Sequence, residues 1–226
     1  IVLGKGIDIA PDKIVVKMVH HQRGGYCFEL NGLFLMALQT FGFEARPLLA
    51  RVHLSGTPSG RSHQLTLITL NGRQYISDVG FGNGTMQAPL PLVLNEPIQV
   101  HDQTFRLIEA PLYGIMLQMK REEEWKDQYS FTLDPVFPID ITFGNHYTST
   151  HPNSGIMKSR IAALPTPQGT YALRNYTLRK YVNGQIIEEQ LEENQAYIDT
   201  LDAYFGIQLD ASIEAFRPIA PSENER

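Results

Sequence analysis

Apolar residues at Cys27, Leu30, Phe34, Leu38 and Phe41, with Leu33 and Ala37 beside them, recur at helical spacing and stop at Gly42. The spacing predicts a largely buried helix over 27–41. Beyond it the pattern changes to short β-rich runs at 43–54, 62–70, 73–79, 103–109, 112–119 and 124–133, punctuated by Gly, Pro and Asn. This stretch reads as mostly antiparallel sheet. After Pro138 the composition turns polar and aromatic. A second hairpin, centred on Asn183-Gly184, then joins runs at 170–182 and 185–191, and a helix over 192–205 stops at Gly206. The final residues, APSENER, read as a frayed end.

Composition narrows the class. The chain has 226 residues, 42% hydrophobic and 19% charged, which suits one large domain or two to three packed subdomains. Acidic residues outnumber basic ones 24 to 19 and no Lys/Arg run interrupts them, so small molecules are expected partners rather than nucleic acid or an anionic membrane. Apolar runs such as Leu33 to Leu38 fall far short of the roughly 18 residues of a spanning helix, and no signal-peptide pattern opens the chain. A single cysteine cannot close an internal disulfide and fits a reducing, cytoplasmic setting.

That cysteine sits in RGGYCFELNG, residues 23–32. Most lone cysteines are small buried hydrophobes. Position argues for chemistry here, because the unsatisfied N–H groups and dipole at a helix start favour a thiolate. Gly24 and Gly25 allow close backbone approach and leave amides for a developing oxyanion. An ordinary thiol is only about 3% ionised at pH 7, and a catalytic one needs roughly 2.7 kcal/mol of help. A helix end supplies about 0.3–1 kcal/mol. A cationic histidine partner is therefore required.

The stretch SHQLTLITLNGRQYISDVGFG supplies it. Asn71-Gly72 is a strong signal for a two-residue type I′ turn, which sets Leu70 opposite Arg73 and Asp78 opposite Leu65. His63 lies two residues from Leu65 on the same face, so His63 and Asp78 are diagonal neighbours. Taken singly, His63 reads as a strand histidine and Asp78 as a strand cap. Taken with the thiol, they read as Cys27 the nucleophile, His63 its base and later proton donor, and Asp78 the carboxylate that fixes the imidazole tautomer.

The segments RGGYCFELNGLFLMALQTFGFEARPLLARV, SHQLTLI, YISDVGFGNG and NHYTSTHPNSG, in this order, closely resemble the arylamine N-acetyltransferases. The resemblance implies an α+β, three-part architecture with a cysteine-protease-like triad arrangement. Its parts are the remainder of an N-terminal helical bundle carrying the nucleophile (1–42), an antiparallel β-barrel carrying His63 and Asp78 (43–137), and a C-terminal α/β lid (138–226). It implies two half-reactions, in which Cys27 takes acetyl from acetyl-CoA and an arylamine, arylhydrazine or N-hydroxyarylamine then takes it from Cys27. By the same resemblance Phe81 stacks on the acceptor ring, with a core aromatic as the alternative. Ser62, Gly82 and Gly84 are the expected CoA contacts, although GFGNG also reads as a plain loop. The family normally carries several helical turns ahead of the region matching IVLGKGIDI, so about 40 residues are expected to be absent at the front.

Other stretches read as structural. His20-His21 lack ligand spacing, so no metal is expected; REEEWK (121–126) reads as a charged turn or strand edge, and His146 and His151 as ordering residues. Two rival functions share the triad residues or the truncated front. A thiol hydrolase or other Cys-His-Asp acyl transferase would use the same order of residues, although the papain-type C-G-S-C-W context is missing. An inactive relative acting as a binding module would show an inert thiol.

Overall fold

The computed structural model describes residues 1–219 except Asn183, so the Asn183 half of the second hairpin turn and the APSENER end lie outside the described residues. The chain gathers into two compact units, Asp8–Asn145 and Ile1–Ile7 with the segment from His146 onward.

The first unit begins with a short helix α1 (Pro11–Val15), started by Pro11 at a position where no N–H is needed, which widens into a π-helical turn over Val16–His20. Helix α2 (Cys27–Thr40) follows. It is less buried than the spacing predicts. Only Cys27, Phe28, Glu29 and Asn31 are buried, Leu30, Leu33, Phe34 and Leu38 are half-buried, and Phe41 just beyond the helix is exposed. The face carrying Cys27 and Asn31 packs on the strands, and the apolar residues of the later turns are half-buried except Ala37, which is exposed.

Eight antiparallel strands form the body of this unit: β1 (Glu44–Val52), β2 (Arg61–Leu70), β3 (Arg73–Ser77), β4 (Leu90–Pro91), β5 (Ile98–Val100), β6 (Gln103–Ala110), β7 (Gly114–Arg121) and β8 (Glu124–Phe131). Their spatial order is β4-β3-β2-β1-β8-β7-β6-β5. The sheet curls towards closure because the segment after β4 returns to β6, where Leu94 bridges Leu107 and Asn95 N–H donates to Leu107 O at 2.7 Å. Period-two alternation sends Leu48 and Ala50, Leu65 and Leu67, Phe105 and Leu107, Leu117 and Met119, and Tyr129 and Phe131 into one core. The six strand runs read from 43 to 133 correspond to β1, β2, β3, β6, β7 and β8. The two very short strands, β4 and β5, gave no pattern to read. REEEWK spans the β7–β8 turn, with Glu122 at φ 52°.

Helix α3 (Pro138–Thr150) was not predicted, and its composition explains why. Its threonines, Gly144 and Asn145 are weak helix formers. Local bonds supply the support: Asp140 accepts from Phe137 N–H at 2.9 Å, and the Thr142 hydroxyl returns to Pro138 O at 3.0 Å.

The second unit holds a four-stranded antiparallel sheet in the order β12-β11-β10-β9 and helix α4. The single run expected over 170–182 is two strands, β10 (Gly169–Arg174) and β11 (Thr177–Val182), divided at Asn175, whose φ of 54° turns the chain back. Strand β12 is Gln185–Gln190. Strand β9 (Ile161–Thr166) went unread because Pro165 argues against a strand, and the proline is tolerated since β9 is an edge. Helix α4 (Gln195–Phe205) is capped by the Asn194 side chain on Ala196 N–H and ends at Gly206 with φ 62°. It covers a core built from Leu173, Leu178, Tyr197, Leu201 and Phe216.

Leu117 is fully buried in the barrel core whereas Leu112 is 87% exposed at the β6–β7 turn. Leu117→Ala is expected to lower unfolding free energy by about 2–5 kcal/mol in urea titration, and Leu112→Ser to leave it within about 0.5 kcal/mol.

Candidate active site

The site forms where the first turn of α2 meets the β2–β3 hairpin. Asn71 and Gly72 take positive φ values of 51° and 73°, as a type I′ turn demands, and pair Leu70 with Arg73 and Thr66 with Ser77. The register read from the sequence is therefore the observed one. It brings His63 Nε2 to 2.6 Å from Asp78 Oδ2, with both side chains buried.

A bulge precedes the histidine. Ala50 pairs with His63 but Arg51 pairs with Arg61, which leaves Ser62 as the extra residue in β2. The Ser62 carbonyl lies 3.8 Å from Cys27 Sγ. The same device occurs in β8, where Leu117 pairs with Tyr129 and Gln118 with Asp127, leaving Gln128 unpaired just before Tyr129. The His63 ring then lies 5.1 Å from Tyr129 and 5.0 Å from Phe81, and Phe81 meets Tyr129 edge-on at 4.9 Å.

Electrostatics follow from this packing. Burial works against a charged His63, but the charge and hydrogen bond of Asp78, followed by the Cys27 thiol, outweigh it and push the imidazole up to about 10. For Asp78, burial would raise the carboxyl, yet His63, the Asn31 amide and the Gly80 N–H hold it below its usual range. With Nε2 committed to Asp78, the other ring nitrogen is left for the thiol. Burial, and then the nearby Asp78 charge, push the Tyr129 hydroxyl well up.

Asn31 is a site residue that the sequence reading missed. Its amide donates to Asp78 Oδ1 at 2.9 Å and to Gln64 O at 2.7 Å, and its Oδ1 accepts from Val79 N–H at 3.1 Å. It lies four residues after Cys27 and so on the same face of α2. That spacing was visible in CFELN. Tyr129 gave no comparable signal, because only the β8 bulge brings it to the imidazole. Gly80 is dictated by close approach, since a Cβ there would sit 2.8 Å from Cys27 Cα and 2.9 Å from Asn31 Nδ2.

The two glycines ahead of the thiol differ in their surroundings. A Cβ on Gly24 would meet open space, whereas one on Gly25 would sit 2.9 Å from Glu29 Cβ. Phe81 is half-buried beside His63 and joins the barrel core. Gly82 and Gly84 belong to the short 3₁₀ turn after it, Gly82 at φ 78° and Gly84 close to Gln128 Oε1 and the Phe81 ring. His20 and His21 are exposed, and His151 accepts from Asn153 N–H and stacks on Tyr147. Among the described residues no cluster of three or more His, Cys, Asp or Glu is placed to hold a metal, and no helix is long and apolar enough to cross a membrane.

The arrangement places a buried thiol at a helix N-terminus beside an imidazole oriented by a buried carboxylate. A family model described as N-acetyltransferase matches residues 1–214, and the chain belongs to that family. Within it the relatives are arylamine N-acetyltransferases. The arylamine N-acetyltransferase / N-hydroxyarylamine O-acetyltransferase of Salmonella typhimurium is 34% identical over 192 residues, spanning 84% of this chain and 68% of the relative. The Escherichia coli arylamine N-acetyltransferase is 32% identical over 204 residues, spanning 88% and 72%. Among solved structures, the Salmonella typhimurium enzyme superposes with a TM-score of 0.86 at 31% identity over 93% of this chain and 78% of that one. The Mycobacterium marinum arylamine N-acetyltransferase in complex with CoA superposes with a TM-score of 0.85 at 31% identity over 91% and 78%.

Two outcomes test the geometry. Asp78→Asn is expected to keep the fold and slow thiol acylation by about three to four orders of magnitude, read in single-turnover rates, because the wrong imidazole tautomer is then presented to the thiol. The second concerns stability. His63 has a raised folded-state pKa, so its contribution to stability is fully present below its ordinary value of 6.5 and is lost as the pH rises through about 10. The native chain is therefore expected to lose more unfolding free energy between pH 7 and 10 than His63→Gln, measured by urea titration at each pH.

Proposed function

We propose that this chain transfers an acetyl group from acetyl-CoA, through a thioester on Cys27, to an arylamine, arylhydrazine or N-hydroxyarylamine. The observation that carries the proposal is the buried His63–Asp78 pair at 2.6 Å beside the only thiol of the chain, in a member of the arylamine N-acetyltransferase family.

In the first half-reaction the Cys27 thiolate attacks the acetyl carbonyl carbon. The C–S bond to CoA breaks, and the departing CoA thiolate takes a proton from the His63 imidazolium. Exchange between two thioesters is nearly balanced in energy, so the step depends on an ionised nucleophile more than on a driving force. Acetylation removes the thiolate that helped keep His63 charged, and the imidazole becomes available as a base.

In the second half-reaction an aromatic amine, neutral at pH 7, attacks the Cys27 thioester. His63 takes the proton that becomes acidic as the C–N bond forms, and Cys27 leaves as thiolate. Asp78 stabilises the imidazolium in both halves, and Asn31 and Gly80 keep that carboxylate aimed. Phe81 offers an aromatic face beside His63 for the acceptor ring. Ser62, in the bulge before His63, and Gly82 and Gly84, in the 3₁₀ turn after Phe81, are the residues assigned to CoA. One thiol and no internal disulfide fit work in a reducing compartment, the cytoplasm.

Intact-mass spectrometry after brief mixing with acetyl-CoA is expected to show one added acetyl group on the native chain, discharged by an arylamine, and none on Cys27→Ala. A native chain that alkylates at its thiol yet takes up no acetyl group sinks the proposal.

A further inference from the structure

The loop that leads into the nucleophile is held at both ends by one residue. The Lys17 carbonyl accepts from Arg23 N–H at 3.0 Å, and the Lys17 ammonium donates to Glu29 Oε1 at 2.6 Å. The other oxygen of Glu29 accepts from Tyr26 N–H at 3.1 Å, closing the cap of α2 directly before Cys27. Lys17 sits in the π-helical turn, where His21 N–H reaches back to Val16 O. Single π-helical turns are frequent at functional sites. Gly25 lies flat on the Glu29 side chain, which explains why that position carries no Cβ.

Glu29 is 2% exposed and stands two residues after the thiol in the first turn of α2. Alone, its carboxylate would compete with a thiolate for the positive end of the helix and repel it. We infer that Lys17 and Glu29 are a positioning pair for Cys27, in which the ammonium cancels the carboxylate charge while the carboxylate fixes the cap. The helix N-terminus is then left to the thiolate. Neither residue touches the reacting atoms. Other titratable groups around the thiol are His63 from β2, Asp78 after β3, Tyr129 from β8, and Tyr26 and Arg23 in the loop. From α3, uncharged Asn145 is bonded to the Tyr26 hydroxyl.

This inference rests on Cys27 as nucleophile, and the chain's single cysteine makes the test specific, since thiol alkylation reports on that site alone. Iodoacetamide alkylation of the full chain is followed from pH 5 to 9 for the native protein, Lys17→Met, Glu29→Gln, the double variant and Lys17→Arg. Lys17→Met is expected to slow alkylation at pH 7 about two- to fivefold and move the profile to higher pH, an effect the size of a charge at a helix end. Glu29→Gln, which keeps an acceptor for Tyr26 N–H, is expected to move it the opposite way, the double variant to return near the native profile, and Lys17→Arg to stay close to it. Superimposed profiles, or two single variants shifted in the same direction as a loosened helix would shift them, overturn the pairing. Acetyl-enzyme formation by the native chain is measured alongside. Its failure would overturn the acetyl-transfer reading, whereas the alkylation profiles alone decide the role of the pair.

Discussion

A carboxylate with no exposed surface organises this site. Asp78 is buried at the end of β3, and a charge in that position is tolerated only if every oxygen is occupied by a donor or a cation. His63 takes one oxygen, and the Asn31 amide and Gly80 N–H take the other. Each partner comes from a different element: β2, α2 and the loop after β3. Satisfying one charge thus ties the helix that carries Cys27 to the hairpin, and the position of Cys27 relative to His63 follows from it. The close approach of Gly80 to Cys27 Cα shows how little room the arrangement leaves.

Much of this was legible in the sequence where local rules govern. The Asn71-Gly72 turn determines the pairing of β2 with β3, and pairing alone makes His63 and Asp78 neighbours. Gly206 ends α4 for an equally local reason. What escaped depends on tertiary contact. Two-residue β4 has no period to detect, Pro165 disguises an edge strand, and α3 is held by side-chain caps that offset poor propensities. The extent of α2's burial was overestimated because apolar spacing tells which residues share a face and not what covers it.

Within the site the same division holds. The thiol, imidazole and carboxylate were found by spacing and register, and Asn31 lay one helical turn from the thiol, open to the same argument. Tyr129 did not, since a bulge at Gln128 sets its approach and nothing in EWKDQYSF announces one. The Lys17–Glu29 pair escaped because its members lie in different helical segments, twelve residues apart across a non-helical loop that no periodicity bridges.

The turn at Asn71-Gly72 lies eight residues from His63, roughly 27 Å along an extended strand. Surface turns are ordinarily where a chain accepts insertions and deletions most freely. This one is different. A residue gained or lost there that slipped the pairing of β3 on β2 by one position would carry Asp78 to the opposite face from His63. The register that a distant, solvent-exposed turn must preserve is therefore set by the His63–Asp78 contact at the far end of the hairpin.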